Sequence, residues 1–225
     1  RLELLPAYKA QRAEMPDGLV RQLPLINEYL AALRVASVRL EGEEADDALA
    51  TLAKAAHAVG VGTLIATSDK DMMQCVGDGV HVVPPVKDAR RLGPDEVREK
   101  TGVAPAQIPA WLALIGDAAD NISGVPGVGP KTAAKLLQDY GTLDEMWSRM
   151  GELKSERIRQ ALAEHRETVR RNLALVSLRS DLPGVPAVED LRARLPDVAR
   201  LLPFLQRLGL VSLGRAYQEG ELNLS

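Results

Sequence analysis

Seven carboxylates fall into three groups. Glu44, Asp46 and Asp47 precede an alanine-rich run, Asp69 and Asp71 close an apolar one, and Asp117 and Asp120 lie further on. Acids at a helix start complement its dipole and cap free N–H groups, which accounts for one or two of the first group. It does not account for Asp69 and Asp71, which stand two apart in an extended stretch and so point the same way. Asp117 and Asp120, three apart, are expected to share one helix face. Capping or solvent exposure could explain any one group but is a weak account of all three. Gathered carboxylates repel one another unless cations are present, and an all-oxygen set suits magnesium, which binds through one or two carboxylates plus substrate phosphate. Two such ions roughly 4 Å apart could clamp the attacking and leaving oxygens of a phosphodiester.

A second constellation follows at once: Gly124-Val-Pro-Gly127-Val-Gly129-Pro-Lys131-Thr132. It nearly fits the phosphate loop of nucleotide hydrolases, but Pro130 stands where the lysine belongs and a helix precedes it instead of a strand. The other reading is a helix-hairpin-helix over 117–138. There Gly127 and Gly129 let the backbone turn tightly, and the N–H groups opening the next helix, with Lys131, hold a backbone phosphate without reading a base. A plain glycine turn between helices is the remaining possibility, and it leaves the placement of Lys131 and Thr132 to chance.

The net charge of -3 hides a segregation. Between Glu41 and Asp71 seven acids face two lysines, Lys54 and Lys70, whereas from Val125 to Arg179 ten Lys or Arg face seven acids. An acidic knot beside a basic helical region fits a metal site next to a polyanion track; ordinary solvated faces are the alternative. The single Cys75 excludes a disulfide framework, and His57, His81 and His165 stand too far apart in sequence for a structural zinc site. With no long apolar run and no leader pattern, a cytoplasmic, non-membrane protein is expected, and we expect a monomer.

These residues need elements to hold them. The pattern at 17–34 predicts a helix, VASVRL a strand, and ADDALATLAKAAHA a helix stopped near Gly60. VGTLIATSDKD reads as a strand of the kind buried in a parallel sheet, and VHVVPP as another, stopped by Pro84-Pro85. The expected fold class is therefore α/β, a mostly parallel sheet flanked by helices over 1–92, with a helical segment at 1–15. A helical subdomain is expected over 93–180, including one helical run at SERIRQALAEHRETVRRNLALVSL. A proline-rich linker and two short helices, with Pro196 and Pro203 near their starts, complete 181–225. Because an α/β sheet ordinarily opens on a strand, the first strand is expected upstream of Arg1.

In order along the chain, RLELLPAYKAQR, GEEADDALATLA, IATSDKDMMQ, GDAADNISGVPGVGPKTAAKLL and RRNLALVSLRSDLP resemble the 5′ nuclease family: the 5′-3′ exonuclease domain of bacterial DNA polymerase I, stand-alone 5′-3′ exonucleases and flap endonucleases. The resemblance spans residues 1 to about 183 and implies a PIN-like fold and a magnesium-dependent 5′-3′ exonuclease or flap endonuclease of DNA replication and repair. It implies that Glu44, Asp46, Asp47, Asp69, Asp71, Asp117 and Asp120 coordinate or orient two or more Mg2+, with Mn2+ as a substitute. It places Lys9 and Arg12 in a helical gateway at the scissile phosphate, Tyr8 stacked on a base near the cut, and Arg1 at the gateway's base. Gly127, Gly129, Lys131, Thr132 and Lys135 would face duplex DNA carrying a 5′ end or flap, with a K+ held by hairpin carbonyls. Family members carry two further aspartates whose positions lie upstream of Arg1. With them the intact protein is expected to be a nuclease; without them, a non-catalytic DNA-junction binder.

Overall fold

The computed structural model describes residues 1–77 and 79–220. In chain order its elements are α1 (Asp17–Val20), α2 (Leu23–Leu33), α3 (Ala45–Ala58), β1 (Thr63–Ala66), β2 (Val80–Val83), α4 (Pro94–Thr101), α5 (Ile108–Ile115), β3 (Gly116–Asp117), β4 (Ile122–Ser123), α6 (Pro130–Tyr140), α7 (Leu143–Ser148), α8 (Glu156–Glu164), α9 (Arg166–Val176), α10 (Val198–Arg207) and α11 (Val211–Gln218). Short 3-10 turns occur at Asp71–Cys75 and Ala118–Asp120, among others. The last five residues of the expected C-terminal segment lie outside the described residues.

The chain divides into two compact units. The first comprises Arg1–Arg12 and Glu43–Pro183, the second Ala13–Gly42 and Gly184–Ser225. In the first unit β1 and β2 pair in parallel, Thr63 opposite Val80 through Ala66 opposite Val83. The α/β class holds, but the sheets are small and helices dominate. Only Ile65 of β1 is buried, and Leu64 is 48% exposed, because a two-stranded sheet covers one face and leaves the other open. The main core lies among the helices, with Met72, Ile108, Leu112, Leu137, Met146, Leu162 and Leu175 essentially sealed from water.

In the second unit Ala32, Leu33, Leu201, Phe204 and Leu205 form a separate small core. Tyr29 stacks on Phe204, with ring centroids 6.1 Å apart, and its hydroxyl meets that of Tyr217 at 2.9 Å.

Several local expectations are corrected. VASVRL, read as a strand, forms no ladder: a strand needs a neighbour to satisfy its backbone, and the described residues offer none here. The 17–34 helix breaks into α1 and α2 around Arg21 and Gln22. The single helical run after Ser155 divides at His165, which caps α8 and precedes α9. Pro203 lies inside α10, not near a helix start.

Candidate functional site

Residues 1–12 fold as successive turns and not as the helix expected. Pro6 cannot extend a helix, and Lys9 takes a left-handed φ of 57°. That twist aims the Lys9 N–H at the Asp120 carbonyl, 3.1 Å away. Asn121 donates to the Ala7 carbonyl at 2.7 Å and Gln11 to that of Ala118 at 2.9 Å, so the segment is strapped to the 117–121 loop. The strap delivers the cations and Tyr8 to the carboxylates.

The first and third groups of acids then meet bases. Lys9 Nζ lies 2.6 Å from Glu44 Oε2 and 3.8 Å from Asp120, and Arg12 reaches the other Asp120 oxygen at 2.7 Å. Lys70, between Asp69 and Asp71 in sequence, pairs with Asp117 at 3.2 Å. Arg1 grips Asp47 with both terminal nitrogens, at 2.6 and 2.8 Å. The second oxygen-side donor to Asp47 is the Arg179 N–H, at 3.0 Å. Asp47, in the first turn of α3, is 1% exposed and its oxygens are taken up by these three bonds.

The remaining acids are less well compensated. Burial, then the charges of Asp69 and Asp117, push the Asp71 carboxyl up to about 7. Its Oδ1 is buried without a hydrogen-bond partner. Burial and the Asp69 and Glu44 charges likewise raise Asp46. Burial alone would raise Asp47, but the Arg1 and Arg179 hydrogen bonds outweigh it and hold that carboxyl below the ordinary range. Tyr8, 7% exposed, donates to Asp120 at 3.0 Å, and burial followed by the Glu44 and Asp120 charges raises its phenol far above normal. In this arrangement Tyr8 is packed into the acidic cluster, without the open ring face that stacking on a base requires.

An orphaned buried carboxylate oxygen and mutually repelling acids, all oxygen donors, suit a hard divalent cation. Among the described residues no three His, Cys, Asp or Glu side chains already converge on one metal position. The chain's own lysines and arginines hold Glu44, Asp47, Asp117 and Asp120 instead.

Asp117 and Asp120 do not share a helix face as expected. Asp117 sits in β3, where its side chain accepts from the Ala119 N–H at 2.9 Å, and Asp120 ends the following 3-10 turn. Asp69 and Asp71 also differ from an extended pair: the Asp71 N–H bonds the Asp69 carboxylate at 3.0 Å, and a 3-10 turn begins.

The hairpin begins on a backbone crossing. A Cβ at Gly116 would fall 2.3 Å from the Gly124 nitrogen, and one at Gly124 2.2 Å from the Ile115 carbonyl oxygen, so neither position accepts a side chain. β3 and β4 pair antiparallel there, and Val125 N–H bonds Leu114 O at 2.8 Å. Buried Asn172 ties the end of α5 to β4, donating to Ala113 O and Ser123 O. Gly127 then turns with φ +81°, and Gly129 caps α6 without any side-chain cap. Lys131 is exposed in the first turn of α6 beside half-buried Thr132, and exposed Lys135 pairs with Asp139.

Sequence reasoning passed over Lys70, although its place between two aspartates was a signal. It also passed over Arg179, whose backbone N–H binds Asp47 and whose side chain pairs with Glu43 at 2.9 Å. Nothing local announced either contact, 132 and 136 positions apart in the chain.

Two family profiles match in succession: the 5′-3′ exonuclease N-terminal resolvase-like domain over residues 1–102, and the 5′-3′ exonuclease C-terminal SAM fold over 103–199. DNA polymerase I of Rhizobium leguminosarum is 38% identical over 219 residues, 97% of this chain and 22% of that protein. The thermostable DNA polymerase I of Thermus thermophilus is 40% identical, covering 95% and 25%. The chain thus spans about a quarter of the length of these relatives. Among solved structures, bacteriophage T5 5′-exonuclease with bound zinc superposes with a TM-score of 0.68 at 25% identity, covering 92% of this chain and 77% of that one. The catalytic core of Rad2 in complex with DNA, at 15% identity and TM-score 0.60, covers 91% and 69% and shares the fold.

Proposed function

This chain belongs to the 5′-3′ exonuclease family, and on that premise we propose that it hydrolyses DNA phosphodiesters near a 5′ end or at a 5′ flap junction, in replication and repair. The observation that carries the proposal is the approach of acids from three separate segments: Lys9 lies between Glu44 and Asp120, Lys70 pairs with Asp117, and the Asp69 charge raises both Asp46 and Asp71. Glu44, Asp46, Asp69, Asp71, Asp117 and Asp120 would hold two or more Mg2+ ions, which Mn2+ could replace. Magnesium, when bound, supplies activation of water and an offset for charge on the leaving 3′ oxygen.

The protein's own groups do the rest. Lys9 and Arg12, released from Glu44 and Asp120, offset charge on the phosphoryl oxygens as it develops. Asp47 orients: with both oxygens taken by Arg1 and Arg179, it braces the start of α3 and holds Glu44 and Asp46 in place. Tyr8 fixes Asp120, and a base would reach its ring only if that bond opened. Gly127, Gly129, Lys131 and Thr132 would hold a duplex phosphate through helix-start N–H groups and one cation, with Lys135 alongside and K+ on the hairpin carbonyls.

The test is a labelled 5′-flap duplex incubated with and without magnesium. A magnesium-dependent product is expected, and Asp69→Asn is expected to abolish it while leaving DNA binding intact. Binding with no magnesium-dependent product would instead identify a non-catalytic junction binder, and unaltered cleavage by Asp69→Asn would remove the acids from the chemistry.

A further inference from the structure

Gly127 does more than turn the chain. A side chain there would begin 3.5 Å from Arg157 Cζ, 3.5 Å from its Nη2 and 3.6 Å from its Nη1. Three nearly equal distances mean that the guanidinium plane lies flat against the turn. Arg157 is the second residue of α8, whose start is fixed by the Ser155 side chain accepting from the Ile158 N–H. The turn that it covers, 127–129, leads directly into the uncapped start of α6.

Its charge is left without the carboxylate that three nearby arginines have. Arg149 pairs with Glu152, Arg159 with Glu156 and Arg170 with Glu167. Arg157 is exposed and has no carboxylate within 4.0 Å among the described residues. A guanidinium stacked on one face keeps all its N–H donors at the edge, where two can meet phosphate oxygens at once. Glycine at 127 is required for its positive φ, and the arginine lies at ordinary contact distance from the point where a side chain would begin.

We propose that Arg157 is part of the phosphate grip, a flat cation laid on Gly127 that contacts the same stretch of duplex backbone as the start of α6. This rests on the reading of the hairpin as the duplex-binding element. The contact is to phosphate and carries no base preference.

The experiment is fluorescence anisotropy of a labelled flap duplex with the 225-residue chain, in EDTA so that nothing is cleaved, over a salt series. Arg157→Gln is expected to weaken binding about tenfold, the worth of one charge-assisted hydrogen bond, and to lower the salt slope by about 0.9. Its thermal midpoint should be unchanged, since the side chain is exposed. Arg157→Lys should restore the slope, which counts charge, but only part of the affinity, which uses the flat fork. Lys131→Ala, run in parallel, tests the hairpin itself. If Lys131→Ala weakens binding and Arg157→Gln leaves affinity and slope at wild-type values, Arg157 only packs on the turn and the inference falls while the hairpin reading stands. If neither variant changes binding, the hairpin reading falls and takes the inference with it.

Discussion

Replacing Asp47 separates a brace from a metal ligand. Its carboxylate is 1% exposed and accepts from Arg1 at 2.6 and 2.8 Å and from the Arg179 N–H at 3.0 Å. Asp47→Ala leaves a guanidinium only 14% exposed without its partner, and one backbone N–H without an acceptor. Removing one member of a buried pair costs about 3 to 5 kcal/mol, and because Arg1 keeps some contact with water the lower figure applies. For a chain of this length each kcal/mol is worth about 2 to 4 °C, so the thermal midpoint should fall by about 6 to 12 °C. The pH dependence gives a second reading. The folded carboxyl titrates below its unfolded value near 3.8, so its stabilisation is fully present above that pH and is lost as the pH falls through the lower folded value. Wild-type protein should therefore show a steeper acid limb than Asp47→Ala. The assay is differential scanning calorimetry in EDTA from neutral to acid pH, with manganese binding measured by calorimetry on the same samples. An unchanged midpoint together with lost manganese binding would refute the brace and return Asp47 to the ligand set.

Asp71 should behave in the opposite sense. Its folded value near 7 lies above the unfolded one, so the relative stabilisation is fully present below about pH 4 and is lost as the pH rises through 7. The loss is at most about 4 kcal/mol at about 1.36 kcal/mol for each pKa unit. In EDTA, chemical denaturation of the wild type should weaken across that range, and Asp71→Asn should flatten the curve; a wild-type curve already flat would contradict the crowding of acids around it. Gly116→Ala should destabilise severely, by more than about 3 kcal/mol, because φ +76° with ψ -178° is a glycine conformation and the new Cβ would overlap the Gly124 backbone. Gly129→Ala has open space and an ordinary φ, and should cost no more than about 1 kcal/mol. Equal midpoints for the two variants would show that the crossing relaxes at little cost.

Local chemistry was the legible part of the sequence. α3 follows from alanine and leucine content with acids in its first turn, and α6 from the glycines and proline ahead of Lys131. VASVRL had strand composition, but a strand exists only through a partner, and partnership is not written in six residues. The spacing of Asp117 and Asp120 suggested a helix face because periodicity cannot see that Gly116 and Gly124 bring two backbones together and force a strand and a 3-10 turn between them. The candidate acids were visible as residue types. Their counter-ions were not, since Arg1 with Asp47 and Arg12 with Asp120 are joined across 46 and 108 positions by tertiary folding alone.

The crossing at Gly116 and Gly124 divides the chain's freedom to change length. Residues 118–121 form a closed loop on one side of it, carrying Asp120, while residues 125–129 form the hairpin on the other. An insertion in the first loop would shift an acid and leave the hairpin where it is; an insertion in the second would move the hairpin and leave the acids alone. Two adjustments that lie within a dozen residues of each other are thereby made separately, and the two glycines at the knot of main chain between them carry no side chain of their own.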